Sequence, residues 1–209
     1  MKLEYLNSLN TDTLDELDLE MMEYAKEHDV PIILNEGLMF LRFICDIKRP
    51  LNILEVGGAI GFSSINMAKY CKANIDTIEI DEKSYNEMVK NINKANLSSR
   101  IKPFLCDALE IDLSLLKDKY DIIFIDAAKG QYIKFFEKFS PLLNEDGIIV
   151  TDNIVFHDLI FEEHIHSRNL RGLIKRVKRF NEYLKNNNEY VTRVFNVGDG
   201  IAISKKREK

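Results

Sequence analysis

A chain of 209 residues, 45% hydrophobic and 30% charged, suits one water-soluble domain with a well-buried core and leaves little room for two. A net charge of −5 argues against general nucleic-acid affinity. The longest apolar runs fall short of the ~20 residues of a membrane helix, and the acidic, polar amino terminus is unlike a signal peptide. The expectation is a cytoplasmic protein with no membrane partner. Cys45, Cys71 and Cys106 are odd in number and form no CxxC pair, so they read as core or near-core thiols, without a disulfide framework or zinc site.

From Thr11 to Lys48 the apolar spacing is helical (Leu14, Leu17, Met21, then Leu38, Leu41, Ile44, Cys45), with Thr11 or Asp12 as N-cap. This predicts a helical extension over residues 1–50, packed on a single domain that spans 1–209. Five apolar runs follow: NILEVG at 52–57, IDTIEI at 75–80, IKPFLC at 101–106, YDIIFID at 120–126 and GIIVTDN at 147–153. Their near-continuous hydrophobicity fits strands covered on both faces. Helical stretches at Ser63 to Tyr70, Glu82 to Ala95 and Tyr132 to Leu143 alternate with them, as in a doubly wound, mostly parallel sheet. A helix around 171–186 then precedes TRVFNV and GIAISKK, and the Gly198-Asp199-Gly200 turn between these predicts a closing antiparallel pair.

Charge is unevenly placed. Residues 168–185 read RNLRGLIKRVKRFNEYLK, with Glu182 the single acid among Arg168, Arg171, Lys175, Arg176, Lys178, Arg179 and Lys185. Such a helix is either a solvated face or a local anion-binding face on an acidic protein.

Each predicted strand ends in residues able to do chemistry. After the first comes Glu55-Val56-Gly57-Gly58-Ala59-Ile60-Gly61-Phe62-Ser63, where glycines allow a sharp turn and close approach to a ligand before a helix N-terminus. The spacing is not that of the dinucleotide GxGxxG pattern, which disfavours an NAD-dependent oxidoreductase. The second strand ends in Glu79, suited to ribose hydroxyls. The third ends in Cys106-Asp107-Ala108, where Asp107 is an adenine-edge acid or simply a turn acid. The fourth and fifth end in Asp126 and in Asp152-Asn153, three hard oxygens that suit Mg²⁺ if the strands are neighbours. Phe156, Phe161 and Tyr132 read as core in preference to base-stacking platforms. His28, His157, His164 and His166 have no metal-ligand spacing; His157 alone stands near the Asp152-Asn153 motif.

Taken in order, ILEVGGAIGFSS, IEID, CDA, FIDAAKGQY, TDN and VGDGIAISKK resemble the motifs of the small cation-dependent O-methyltransferases, the group of catechol and caffeoyl-CoA O-methyltransferases and their bacterial relatives. The resemblance runs from about Pro31 to the end, and Gly57-Gly58 departs from the family's frequent single glycine. It implies a Rossmann-like α/β fold of the class I methyltransferases: a seven-stranded, mostly parallel sheet with an antiparallel C-terminal hairpin and N-terminal helices. It further implies metal ligands Asp126, Asp152 and Asn153 for Mg²⁺ or Mn²⁺, with Asp126 and Lys129 catalytic and Lys129 as general base. Contacts to S-adenosylmethionine (SAM) would come from Ile33, Glu55, Gly57, Ser63, Glu79, Asp107, Ala108 and Asp126, with Ile33 placed only by its distance from Glu55.

FIDAAKGQY and the short chain look most like the bacterial branch that methylates 5-hydroxyuridine at the tRNA wobble position. That gives a tRNA anticodon loop as partner, with Arg168, Arg171, Lys175, Arg176, Lys178 and Arg179 as phosphate contacts. The alternative acceptor is a small catechol-like phenol. A non-catalytic RNA-holding protein is disfavoured by the intact Asp126, Lys129, Asp152 and Asn153. Family members are often homodimers, and the N-terminal helices could supply an interface.

Overall fold

The structure, a computed structural model, describes residues 5, 9, 13–156, 158–162 and 165–208. Thr11, Asp12, His157 and His164 lie outside the described residues. Asp15 caps the first described helix, α1 (Glu16–Glu27). Its carboxylate accepts from the Asp18 amide at 2.9 Å while Asp18 returns the contact to the Asp15 amide, a reciprocal capping box. The expected helical extension is broken at residues 28–34, after which α2 (Asn35–Lys48) begins.

Next come β1 (Asn52–Val56), α3 (Phe62–Tyr70), β2 (Asn74–Glu79), α4 (Glu82–Lys94), β3 (Ile101–Leu105), β4 (Tyr120–Ile125), α5 (Tyr132–Phe139) and β5 (Leu143–Thr151). α6 (Arg168–Asn186), β6 (Tyr190–Phe195) and β7 (Ile201–Lys206) close the chain. The predicted helix at 132–143 is shorter because Pro141 turns the chain through a 3-10 segment, and β5 accordingly starts earlier than its apolar run.

The seven strands form one sheet in the order β3-β2-β1-β4-β5-β7-β6. β1 to β5 pair in parallel, whereas β7 runs antiparallel to both β5 and β6. The architecture is the class I methyltransferase fold expected from the sequence. The second arm of the closing hairpin, not the first, docks on β5. Strand order reverses between β1 and β4, and the crevice of a doubly wound sheet opens at the carboxyl ends of such a pair.

Alternate strand residues divide between two cores, as the period of two requires. Ile53, Ile122 and Val150 face α1 to α4 through Met21, Leu38, Leu41, Ile65 and Met88. Leu54, Ile123 and Ile149 face α5 and α6 through Phe135, Phe136, Phe139 and Phe180. The amphipathic α6 buries Ile174, Val177, Phe180 and Leu184, which leaves its basic residues outside.

A charged cluster ties α1 and α2 to α3. Arg42 and Asp18 are each 1% exposed and pair at 2.9 Å. Arg42 also donates to Asn66 Oδ1 at 3.1 Å, Asn66 donates to Asp18 Oδ1 at 3.0 Å, and Lys69 reaches the same oxygen at 2.8 Å. Every polar group in the cluster has a partner, so removing one exposes the others to an uncompensated interior. Arg42→Ala should destabilise the protein by about 3 kcal/mol or more, towards the cost of breaking a buried pair. Urea unfolding followed by circular dichroism checks this, and a loss below about 1 kcal/mol would show that Lys69 alone satisfies Asp18.

Candidate active site

The carboxyl ends of β1, β2, β3 and β4 open onto a cleft of about 560 Å³. Of the sequence-predicted residues, Ile33, Gly57, Ser63, Glu79, Asp107, Ala108, Asp126, Lys129 and Asn153 line it. Glu55 and Asp152 stand behind that lining.

Its floor is the turn after β1. Gly57 has φ +95°, and a Cβ there would stand 2.1 Å from the Asp126 carbonyl oxygen, so only glycine fits between β1 and β4. At Gly58 a Cβ would lie 2.3 Å from Thr77 Oγ1, which accounts for the second glycine of the pair. The Gly57 and Gly58 amides both donate to the Ile78 carbonyl, at 2.9 and 3.1 Å. Glu79 holds the next part of the loop: Oε2 accepts from the Ala59 amide at 2.7 Å, and Oε1 from the amides of Ile80 and Asp81. A carboxylate oxygen has two lone pairs, so Glu79 keeps acceptor capacity towards the cleft. Asp107 is exposed at the rim and accepts from the Leu109 amide at 2.8 Å, so it is a turn acid that also lines the cleft.

Glu55 is buried beneath the loop with no exposure. Its two oxygens accept from Ser63 Oγ and Thr77 Oγ1, both at 2.5 Å. Burial pushes its carboxyl up to about 7, against the opposing pull of these hydroxyls. In this arrangement Glu55 orients Ser63, which itself faces the cleft.

At the other end of the cleft, Asp126 follows β4 and Asp152-Asn153 follows β5, side by side because those strands pair. Burial is the main cause raising both aspartate carboxyls. For Asp152 the charges of Asp126 and Asp199 add to it, for Asp126 that of Asp199, and Lys129 opposes the rise in both. Lys129 Nζ donates to Asn153 Oδ1 at 2.8 Å and lies 5.6 Å from the centre of the Phe156 ring. Asn153 has φ +58°, a left-handed conformation tolerated by asparagine.

Asp199 is the residue that sequence reasoning missed. The Gly-Asp-Gly turn was a signal for a hairpin only, yet Asp199 is 5% exposed and accepts from Asn153 Nδ2 at 3.2 Å. The amides of Ile154 and Val155 donate to the carbonyls of Gly200 and Asp199, both at 3.1 Å, locking the turn onto the loop after β5. Tyr132 supports the same loop from beneath, its phenol donating to the Asp152 carbonyl at 3.1 Å and stacking edge-on to Phe180 of α6.

Hard oxygen donors fit a cation here. The charge of Asp126 adds to the electrostatic cost of Asp152, and Asn153 Oδ1 accepts from Lys129 Nζ. Among the described residues, no three His, Cys, Asp or Glu side chains form a preassembled cage; the set is two carboxylates and an amide.

Tyr132 and Phe156 are buried, as expected of core residues, but Phe161 is 70% exposed. Leu159 and Ile160 of the same 3-10 turn (Leu159–Phe161) pack against the cluster of Phe156, Ile174 and Val177, which sends Phe161 outward. On α6, Arg168, Arg171, Lys175, Arg176, Lys178 and Arg179 are all exposed. Arg171 is engaged locally, donating to the carbonyls of Ile165 and His166 at 2.6 and 3.0 Å. Arg176 lies against Gly130 of the Lys129–Gln131 turn, so the basic face reaches the rim of the cleft. No helix among the described residues is long and apolar enough to cross a membrane.

Glu55 generates a pH prediction. Its folded carboxyl titrates at about 7 and its unfolded one at 4.5, so between these values the folded state holds a proton that the unfolded chain has lost. The stability this lends is fully present below about pH 4.5 and is lost as pH rises through about 7. Metal-free thermal melts should therefore weaken between pH 5 and 8, by up to roughly 3 kcal/mol from this group. Glu55→Gln should flatten that slope; an unchanged slope would assign the effect elsewhere.

The chain matches the O-methyltransferase family over residues 4–207. A catechol O-methyltransferase of Niastella koreensis is 31% identical over 155 residues, 72% of this chain and 68% of that protein. The crystal structure of a candidate caffeoyl-CoA O-methyltransferase from Staphylococcus aureus superposes with a TM-score of 0.90 at 34% identity, covering 98% of each chain. A Podospora anserina methyltransferase, solved with S-adenosylhomocysteine bound, has a TM-score of 0.88 at 20% identity over 99% of this chain and 94% of its own.

Proposed function

The chain belongs to the O-methyltransferase family, whose members take their methyl group from SAM, and on that premise we propose that it methylates a hydroxyl flanked by a second oxygen, with a divalent cation in the site. The observation that carries this reading is the meeting of Asp126, Asn153 and Lys129 at one end of the glycine-floored cleft, with Asp152 buried directly behind them at the end of the paired strand.

SAM would lie along the cleft, its ribose hydroxyls towards Glu79, its adenine by Asp107 and Ala108, and Ile33 covering it. Gly57 admits close backbone approach, and Ser63 is held ready by Glu55. A Mg²⁺ or Mn²⁺ ion held by Asp126, Asp152 and Asn153 would supply Lewis acidity towards an acceptor with two adjacent oxygens. Asp199 fixes the Asn153 amide so that Oδ1, not Nδ2, faces Lys129. Lys129, in its neutral form, is placed to accept the hydroxyl proton at Nζ. Fixing donor and acceptor in one cleft is the larger contribution, since methyl transfer needs the two reacting atoms in line.

The acceptor we favour is 5-hydroxyuridine at the wobble position of tRNA, converted to 5-methoxyuridine. Its 5-hydroxyl neighbours the C4 carbonyl oxygen, and an anticodon loop presents the base unpaired. The basic outer face of α6, joined to the Lys129–Gln131 turn through Arg176, supports this choice. A small catechol-like phenol is the second reading, favoured by the likeness to the Niastella koreensis enzyme. The same proposal places the enzyme in the cytoplasm as a homodimer, a state supported by exposed apolar residues such as Phe43, Ile47 and Val194.

Transfer from labelled SAM to tRNA carrying 5-hydroxyuridine, and in parallel to catechol, should be abolished by EDTA and restored by Mg²⁺ or Mn²⁺. Labelling of catechol alone would overturn the RNA acceptor, and EDTA-resistant labelling the cation. Asp152→Ala should lower turnover at least 100-fold with the fold retained, because a cation ligand at a strand end carries little packing; activity near wild type would remove Asp152 from the site. Because Arg171 is engaged locally, Lys175→Glu with Arg179→Glu is the cleaner charge reversal. It should weaken tRNA binding and reduce its salt dependence by about two phosphate contacts, and an unchanged salt slope would free α6 of an RNA role.

A further inference from the structure

Consecutive residues of the loop after β5 face two different cavities: Asn153 lines the cleft, while Ile154 and Val155 line a second cavity of about 670 Å³. Its other walls come from α6, the Leu159–Phe161 turn and the edge strand β6. The volume is that of a small-molecule site, and the two cavities share no lining residue. Phe161, 70% exposed, presents its ring there instead of joining the core. Tyr190 supplies a second ring, anchored by its phenol, which donates to the Ser140 carbonyl at 3.3 Å. Asn181 of α6 donates through Nδ2 to the Ile154 carbonyl at 2.9 Å, and a carbonyl partner fixes which end of the amide is which. Among the described residues, Asn181 Oδ1 is the buried side-chain polar atom left without a hydrogen-bond partner.

The rim is cationic, with Lys185, Arg193 and Arg207 against the single acid Glu182. Lys185 approaches Glu182 only to 3.9 Å with both side chains in solvent, and Arg193 turns to the Thr192 carbonyl at 3.0 Å, so neither charge is spent in a buried pair. Aromatic rings, an amide acceptor and a cationic rim match the parts of a nucleotide: a flat base that stacks, an N–H edge and a phosphate. A purely apolar ligand would leave the cations and the amide idle. The cavity also continues the basic face of α6. Arg176 stands at the rim of the cleft and Lys185 at the rim of this cavity, about 14 Å further along the helix at ~1.5 Å per residue, with Lys178 and Arg179 exposed between them. A short run of extended RNA covers that distance.

We propose that this cavity is a second nucleotide subsite, which takes an unpaired nucleotide flanking the methylated uridine from the same RNA strand. The assignment rests on the RNA acceptor favoured above. The flanking base stacks on Phe161 beside Tyr190 and offers an N–H to Asn181, while its phosphate lies against Lys185, Arg193 and Arg207. A strand that fills both cavities binds more tightly than a free nucleoside that fills the cleft alone, because the second contact is made within one molecule. The subsite thereby selects a single-stranded loop over an isolated nucleoside as acceptor.

The test uses the full chain and tRNA that carries 5-hydroxyuridine at the wobble position and 4-thiouridine at a flanking loop position. Irradiation of the wild-type complex should crosslink the thiouridine to peptides from residues 154–161 or 181–194. Crosslinks confined to the cleft or to other surfaces would overturn the subsite. In parallel, Phe161→Ala, and separately Arg193→Glu with Arg207→Glu, should raise KM for tRNA by about tenfold. They should leave kcat within about twofold and S-adenosylhomocysteine binding, measured by calorimetry, unchanged. An unchanged KM, or a loss in kcat alone, removes the subsite while the RNA acceptor stands. Wild-type enzyme that labels catechol and not tRNA overturns the RNA acceptor itself, and the subsite with it. If Phe161→Ala dissociates a dimer in sedimentation while tRNA binding is intact, the cavity belongs to a second copy of the chain and not to RNA.

Discussion

At the carboxyl end of β1 the Gly57 backbone lies so near the Asp126 carbonyl that no side chain can stand between them. That approach lets the amides of Gly57 and Gly58 share the Ile78 carbonyl while the Asp126 amide bonds Val56 at 3.0 Å. The Asp152 amide bonds Ile125 at 3.1 Å in turn. The ends of β2, β1, β4 and β5 are therefore stitched edge to edge, and the residue that follows each strand is delivered to the same crevice. A methyl group at position 57 would separate β1 from β4 at the point where the loop floor and Asp126 have to coincide.

Parallel strands all point their carboxyl ends one way, so acids placed after them accumulate at one edge of an apolar sheet. Asp126, Asp152 and Asp199 gather there with Lys129 as the counter-charge beside them. Concentrating like charges in a poorly solvated place lowers stability, which is the usual relation between a site prepared for a ligand and the fold that carries it. Glu55 shows the same tension in milder form, its burial opposed by two hydroxyls. The Arg42–Asp18–Asn66–Lys69 cluster is the contrast: its charges are balanced within the chain, and it fastens the helical extension.

α6 links the cleft to the outside. Its apolar stripe seats Phe180 against Tyr132, which holds the Asp152 carbonyl, while its basic side reaches the Lys129–Gln131 turn through Arg176. The basic side therefore belongs to an element packed against the loop that carries Asp152 and Asn153.

Much of this was legible in the sequence because it is local. Apolar runs of strand length, separated by helical periods, gave the five parallel strands and their order of appearance, and the residues closing each run were the cleft residues Gly57, Glu79, Asp107, Asp126 and Asn153. The basic run of α6 stood in the sequence as RNLRGLIKRVKRFNEYLK, and the burial of Ile174, Val177, Phe180 and Leu184 put its charges outside. Contacts between distant segments decided the rest. Insertion of β7 between β5 and β6 turned Asp199 from a hairpin residue into a partner of Asn153. Thr77 and Ser63 drew Glu55 beneath the loop, and the inward packing of Leu159 and Ile160 turned Phe161 to solvent. Periodicity and turn chemistry act over a few residues and are written in order along the chain, whereas hydrogen bonds and packing between remote segments depend on which strands and helices become neighbours, which only the folded sheet determines.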